Sequence, residues 1–350
     1  MGIFGDIYKL LSSGKAVALV TVVHTEGSTP QVPGAVMAVN KDGTIAGTVG
    51  GGNVERLIIE DAVSSLQEGH PALKTYILSE KEDTKMVCGG RMQVFIEPLK
   101  KRTRLCKLVD DEACLGKRSV LSFVVSGKNI PPSFIGRKML VTSGGVATGK
   151  MSMGKIDELA IKEASKALKE NISYLKTYPL EEDKEVSIFF QVVPGTETLV
   201  IAGAGHIASS LVKMARVLDF RVVVVDDRED YAKRSRFPLA DKIICGDFKK
   251  VFSSMYLNEK SYVVVVTYGH KHDEEVLEEV LKSKAGYIGC IGSRLKAEKT
   301  LYYLKSAGYS DEDVKRVHIP VGLHIGAKTP AEIALSILAQ IIKEKRKMSS

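Results

Sequence analysis

Apolar residues follow two different rhythms along this chain. Up to about residue 193 they form short stretches separated by glycine-rich turns and by two segments of helical period, around 54–68 and 156–170. The stretches "AVALVTVV" (16–23), "MQVFIEP" (92–98), "SVLSFVV" (119–125) and "VSIFFQV" (186–192) read as strands, and "AVMAVNKDGTIAGTV" (35–49) and "RKMLVTSGGVATGKM" (137–151) as hairpins turning at "DG" and "GG". Both dipeptides tolerate the positive φ of a tight turn. From residue 196 the strands are apolar throughout: "TLVIAGAG" (198–205), "RVVVVDD" (221–227), "DKIICGD" (241–247), "SYVVVVTYGH" (261–270) and "GYIGCIGS" (286–293), with helical segments around 274–283 and 295–306. Continuous apolar strands alternating with helices predict a parallel sheet covered on both faces, with strand order 3-2-1-4-5. Near the end of the chain, Thr329 as N-cap, Pro330 at N1 and Glu332 at N3 predict a capping box.

Adding 102 to the residue number superposes Gly14–Glu80 on Gly116–Glu182 without a gap, matching Val22 with Val124, Pro30 with Pro132, Gly34 with Gly136 and Gly52 with Gly154. "LKTY" at 73–76 recurs at 175–178, and the closing strands align at a shift of 94. The first half is thus a duplicated module, with copies at 14–98 and 116–192 in a domain spanning 1–192, ahead of a second domain at 196–346. The fold class expected is α/β: a Rossmann-like doubly wound parallel sheet preceded by an α+β domain built from two related copies.

The two copies share one packing problem, so function is expected where they differ. Copy one has "TEGSTP" (25–30), "VGGGNVE" (49–55) and "TKMVCGG" (84–90), whereas copy two has "GKNIPP", "KMSMGKIDE" and no counterpart of the third. Gly50, Gly51, Gly52 and Asn53, between a strand and a helix start, have the form of a phosphate cradle or of a tight turn. Ser28 and Thr29 offer hydroxyl donors or turn punctuation. Cys88, beside Gly89 and Gly90, is either an accessible thiol or a buried structural one.

In the second domain Gly203-Ala204-Gly205-His206 follows a strand and opens a helix, and Asp226 and Asp227 end the next strand. This is the Rossmann fingerprint, in which the acid accepts from a ribose hydroxyl. Asp226 favours NAD, while Arg228 keeps the phosphorylated NADP open. His270 is a candidate for proton transfer or metal binding, or a loop residue entering a helix, and Ser293 with Arg294 is a phosphate clamp or a helix start.

Composition narrows the classes. The chain has 350 residues, a net charge of +8 and five cysteines. Its basic residues are dispersed apart from "KEKRK" (343–347), and no nucleic-acid module is visible. No apolar run approaches the ~20 residues of a membrane helix. Odd cysteine usage without CxxC predicts free thiols and no structural zinc, and the absence of a signal-like N-terminus predicts a cytoplasmic protein.

Taken together, "TEGSTPQVPGAVM", "GTVGGGNVE", "MVCGGRMQVFIEP", "IAGAGHIA", "VVTYGHKHDEEVL", "IGCIGSRLK" and "GLHIGAKTPAEIALSIL" closely resemble the xanthine dehydrogenase accessory protein family, XdhC/CoxI. The resemblance runs nearly end to end and is weakest over 101–190. It implies a chaperone more than a turnover enzyme: a protein that binds the molybdenum cofactor (molybdopterin), supports its sulfuration by a cysteine desulfurase and delivers it to a xanthine dehydrogenase-type molybdenum hydroxylase. Some members carry cysteine where this chain has Asn53, which leaves Cys88 as the metal or sulfur ligand of the N-terminal domain. A homodimer is the expected assembly. The competing expectations are an NAD(P)-dependent oxidoreductase and a nucleotide-sensing protein.

Overall fold

The computed structural model describes residues 2–78, 89–100, 104–151, 154–180 and 183–348. The chain divides into two compact units, Met1–Ala113 with Lys117–Gly195, and Cys114–Gly116 with Thr196–Ser350.

The first unit contains α1 (Ile3–Ser12), β1 (Val17–Glu26), β2 (Val36–Asn40), β3 (Ile45–Gly47), α2 (Gly52–Glu68), β4 (Ala72–Ile77), β5 (Arg91–Leu99) and α3 (Arg104–Cys114). It continues with β6 (Ser119–Lys128), β7 (Lys138–Thr142), β8 (Ala147–Gly149), α4 (Lys155–Glu170), β9 (Tyr174–Pro179) and β10 (Glu185–Val193). Two antiparallel five-stranded sheets result, ordered β3-β2-β1-β5-β4 and β8-β7-β6-β10-β9. The register interruption between Val22 and His24 recurs between Val124 and Ser126, and the left-handed C-cap Gly69 of α2 recurs as Asn171 of α4. Glycine reaches that backbone region without strain, and asparagine more readily than most residues.

Each sheet buries one face under its own helix. Val54, Ile58, Ala62 and Leu66 of α2 cover Val20, Val22 and Met92, and Ile156, Ala160, Ala164 and Ala167 of α4 do the same for Val120, Val124 and Ile188. The opposite faces share one core, in which Leu19 and Phe95 of the first sheet join Leu121, Phe123 and Phe189 of the second. Phe95 and Phe123 stack with centroids 5.5 Å apart. The central strands are therefore buried on both faces, which is why β1 and β6 read as unbroken apolar runs. Gln191 Nε2 donates to the Gly34 carbonyl at 3.1 Å, and at the equivalent place Glu97 pairs with Lys138, both side chains only 13% exposed.

The second unit comprises β11 (Thr198–Ala202), α5 (His206–Val217), β12 (Arg221–Asp226), β13 (Lys242–Cys245), α6 (Phe248–Ser254), β14 (Ser261–Val265), α7 (His270–Leu281), β15 (Tyr287–Cys290), α8 (Arg294–Ser306), α9 (Asp311–Lys315), β16 (Val317–His318) and α10 (Pro330–Met348). The sheet is parallel with order β13-β12-β11-β14-β15-β16, the expected 3-2-1-4-5 extended by a two-residue strand. Helices α5 and α10 cover one face, and α6, α7 and α8 the other. Thr329 and Glu332 exchange the reciprocal bonds of the expected capping box. This is the α/β class with two related N-terminal copies that the patterning predicts.

Candidate functional site

In the first unit, the segments that distinguish copy one from copy two meet. A Cβ added at Gly90 would lie 2.1 Å from the Ser28 carbonyl oxygen and 2.9 Å from that of Glu26. One added at Gly50, where φ is +139°, would lie 2.5 Å from the Pro30 ring. The loop 25–30, the turn 49–53 and the entry to β5 thus touch closely, at distances only glycine permits. Cys88, expected from sequence to be the metal or sulfur ligand, lies outside the described residues.

The glycine turn holds an anion of its own. Glu55 Oε2 accepts from Val49 N at 3.0 Å, from Gly51 N at 3.2 Å and from the Thr48 hydroxyl, and Gly50 N donates to Thr48 Oγ1 at 3.2 Å. Burial raises the Glu55 pKa, but these donors outweigh it and hold the group below its ordinary value. Asp157 makes the equivalent bond to Met151 N at 2.9 Å in copy two, so the carboxylate clamp belongs to the shared scaffold. Donors expected to cradle a phosphate are in part committed to it. Thr29 Oγ1 donates to the Gln31 carbonyl at 2.9 Å, which is the turn role, and Asn53 Oδ1 accepts twice from Arg56.

In the second unit the expected ligand residues line the C-terminal edge of the parallel sheet. Gly203, with φ +109°, packs so closely on the β14 end that a Cβ would lie 2.4 Å from the Val266 carbonyl oxygen. Gly205 is the N-cap of α5, and His206 is exposed at its first position. Asp226 is fully buried and accepts from Ala204 N at 2.7 Å, Arg228 N at 3.0 Å, and Arg228 Nε and Nη2 at 2.9 Å each. Burial would raise its pKa, yet the donors hold it below the ordinary value. A carboxylate has about four acceptor positions, so Asp226, expected to meet a ribose, is saturated by its own chain. Asp227 Oδ2 accepts from the Tyr268 hydroxyl at 2.9 Å.

Ser293 caps α8 by accepting from Lys296 N at 3.2 Å, and Arg294 is exposed beside it, the geometry of a helix start. His270 opens α7. Sequence reasoning assigns no role to the ion pair of Lys296 with Asp273, whose carboxylate is 1% exposed and also accepts from Thr267 Oγ1 at 2.6 Å. Along the chain Asp273 reads as a loop residue, and only the fold sets it against Lys296. Likewise, nothing in the sequence signals the Tyr231 and Tyr268 rings that flank Arg228 at 3.8 and 4.0 Å.

No disulfide joins Cys106, Cys114, Cys245 or Cys290. Burial pushes the Cys106 thiol up to about 11 and that of Cys290 up to about 12, so neither is a thiolate at neutral pH. Among the described residues no three His, Cys, Asp or Glu side chains gather as a metal site, and no helix is long and apolar enough to cross a membrane.

This architecture defines an α/β protein of Rossmann class carrying a duplicated α+β module. Two family models match the chain: the XdhC Rossmann domain over residues 199–341, and the XdhC and CoxI family over residues 10–77. The chain belongs to the XdhC and CoxI family. It is 24% identical over 346 residues to a Bacillus subtilis protein named as a probable xanthine dehydrogenase subunit, covering 97% of this chain and 96% of that one. It is 25% identical over 348 residues to the uncharacterized protein YqeB of Escherichia coli, covering 99% of this chain but 46% of the other, so it spans about half the length of that relative. A crystal structure of a xanthine dehydrogenase from Bacillus halodurans superposes with a TM-score of 0.68 at 27% identity, covering 99% of this chain and 96% of that one.

Proposed function

We propose that this protein serves the maturation of a xanthine dehydrogenase-type molybdenum hydroxylase: it binds the molybdenum cofactor as cargo, presents it to a cysteine desulfurase for sulfuration, and hands it to the recipient enzyme. The observation that carries the reading is membership of the XdhC and CoxI family, together with the end-to-end match to a relative named for xanthine dehydrogenase. The convergence of 25–30, 49–53 and 89–90 supports it, because these segments are the ones in which copy one departs from copy two. In this reading Cys88 contributes a soft thiolate for molybdenum or for sulfur relay, and Gly89, where an added Cβ would meet nothing within 4 Å, leaves room for a flat pterin. Of the expected alternatives, the NAD(P)-dependent oxidoreductase has the weaker support, since Asp226 is held by Ala204 N and a flat two-pronged Arg228, and a ribose diol, which is not planar, has no edge to take the guanidinium's place between Tyr231 and Tyr268.

The test is to isolate the protein from a molybdenum-replete host and measure molybdenum and pterin stoichiometry, then to reconstitute an apo-hydroxylase with wild type and with Cys88→Ala. Stoichiometric cofactor and a loss of reconstitution of about tenfold or more in the variant are expected. An empty wild-type protein that leaves the apo-enzyme inactive overturns the reading.

A further inference from the structure

The environment of Arg228 is that of a bound ligand. Its guanidinium is planar, lies over the Tyr231 ring at 3.8 Å and the Tyr268 ring at 4.0 Å, and presents Nε and Nη2 as a two-pronged donor edge to the fully buried Asp226. Both rings are partly exposed, Tyr231 at 38% and Tyr268 at 54%, and the bond from Tyr268 to Asp227 fixes the second one in place. The arrangement stands just past the C-terminal end of β12, the edge of an open parallel sheet where ligands bind.

A planar group between aromatic rings, with two adjacent N–H donors on one carboxylate, is also how a protein holds a cyclic guanidine. The 2-amino-4-oxopyrimidine edge shared by pterins and guanines is such a group. We infer that Asp226, Tyr231 and Tyr268 form a binding slot for that edge, and that Arg228 is a resident placeholder which swings into solvent when the ligand enters. The exchange keeps the two hydrogen bonds on Asp226, because the ligand's ring N–H and amino group replace Nε and Nη2, but it gives up the ion pair, a loss that hydration of the freed guanidinium offsets only in part and that keeps wild-type binding weak. It deepens the proposed function, on which it rests for the choice of a pterin, by giving the Rossmann unit a part in recognising the cargo.

The experiment titrates purified full-length protein with 6-hydroxymethylpterin, guanosine monophosphate and adenosine monophosphate, reading affinity by calorimetry and pterin fluorescence. Arg228→Gln vacates the slot, and Arg228→Lys keeps a cation near Asp226 but supplies no planar group. Circular dichroism and melting confirm that each variant folds, and the lysine variant carries the test if the glutamine one does not. Both should bind the pterin at least tenfold more tightly than wild type, and Asp226→Asn in the lysine background should abolish that gain, with adenosine monophosphate unaffected throughout. A gain confined to guanosine monophosphate supports the slot but assigns it to a guanine nucleotide, separating it from cofactor carriage. No gain in either variant, or an equal gain for adenosine monophosphate, overturns the inference, even if the wild-type protein proves to carry the cofactor.

Discussion

Individual residues in this protein mostly do something other than what their spacing suggests. Glu55 sits three residues past the glycine triplet, where a helix N-terminus would welcome any acid, yet its role is to fasten the turn before it. A carboxylate with a depressed folded-state pKa stabilises above its unfolded pKa, and the contribution is lost as pH falls through the folded value. Glu55→Gln should therefore lower stability by about 1 kcal/mol at neutral pH. The difference in melting temperature from wild type should shrink once the pH drops below about 4.3; an unchanged gap under more acidic conditions would remove the ionic part of the clamp. Thiol chemistry gives a second residue-scale prediction. Cys245 is exposed, whereas Cys106 and Cys290 are buried and their thiols are held protonated. In timed alkylation read by peptide mass spectrometry, Cys245 should be modified quickly in the native state, and Cys106 and Cys290 only after denaturation.

At the scale of elements, duplication supplies an internal control. Adding 102 to the number of Val36 gives Lys138, and adding 94 to that of Glu97 gives Gln191, so the largely buried ion pair at one end of the shared core is replaced by valine and glutamine at the other. Removing one member of a buried pair leaves an uncompensated charge, whereas replacing both need not. Lys138→Val alone should cost about 3 kcal/mol, while Lys138→Val with Glu97→Gln should recover more than half of it. A denaturant-melt double-mutant cycle reads this directly, and additive effects would show that the pair is not coupled. The strands themselves were legible because the central strands of each copy are buried on two faces, which writes unbroken apolar runs into the sequence. Helix α3, by contrast, follows no turn signal strong enough to announce it, and β16 has two residues, too few for any periodicity.

For the whole molecule, the two glycine turns make a dinucleotide protein and a cofactor carrier look alike in sequence, and ligand linkage separates them. A ligand that binds only the native state raises the melting temperature, by an amount equivalent to about 2.7 kcal/mol at a hundred times its Kd. With Asp226 held by Ala204 and Arg228, and with no flat two-donor edge on a ribose diol to displace the guanidinium from between the two tyrosine rings, NAD at millimolar concentration should leave the melting temperature of the wild-type protein unchanged, as scanning calorimetry would record. A clear rise would return the oxidoreductase reading to the front.

By itself the sequence determined what depends on neighbours along the chain. The order of strands and helices, the duplication at a shift of 102, the sheet order of the second unit and the cap at Thr329 all follow from local periodicity, turn chemistry and the handedness of βαβ connections. Tertiary structure alone decided which groups meet: Gly90 against Ser28, Gly50 against Pro30, Asp273 against Lys296, and two tyrosines around Arg228. A carboxylate reads the same in sequence whether it awaits a ligand or is already bonded. Only packing fixes which donors reach it, because hydrogen bonds and aromatic contacts act over a few ångströms of space and are indifferent to separation along the chain.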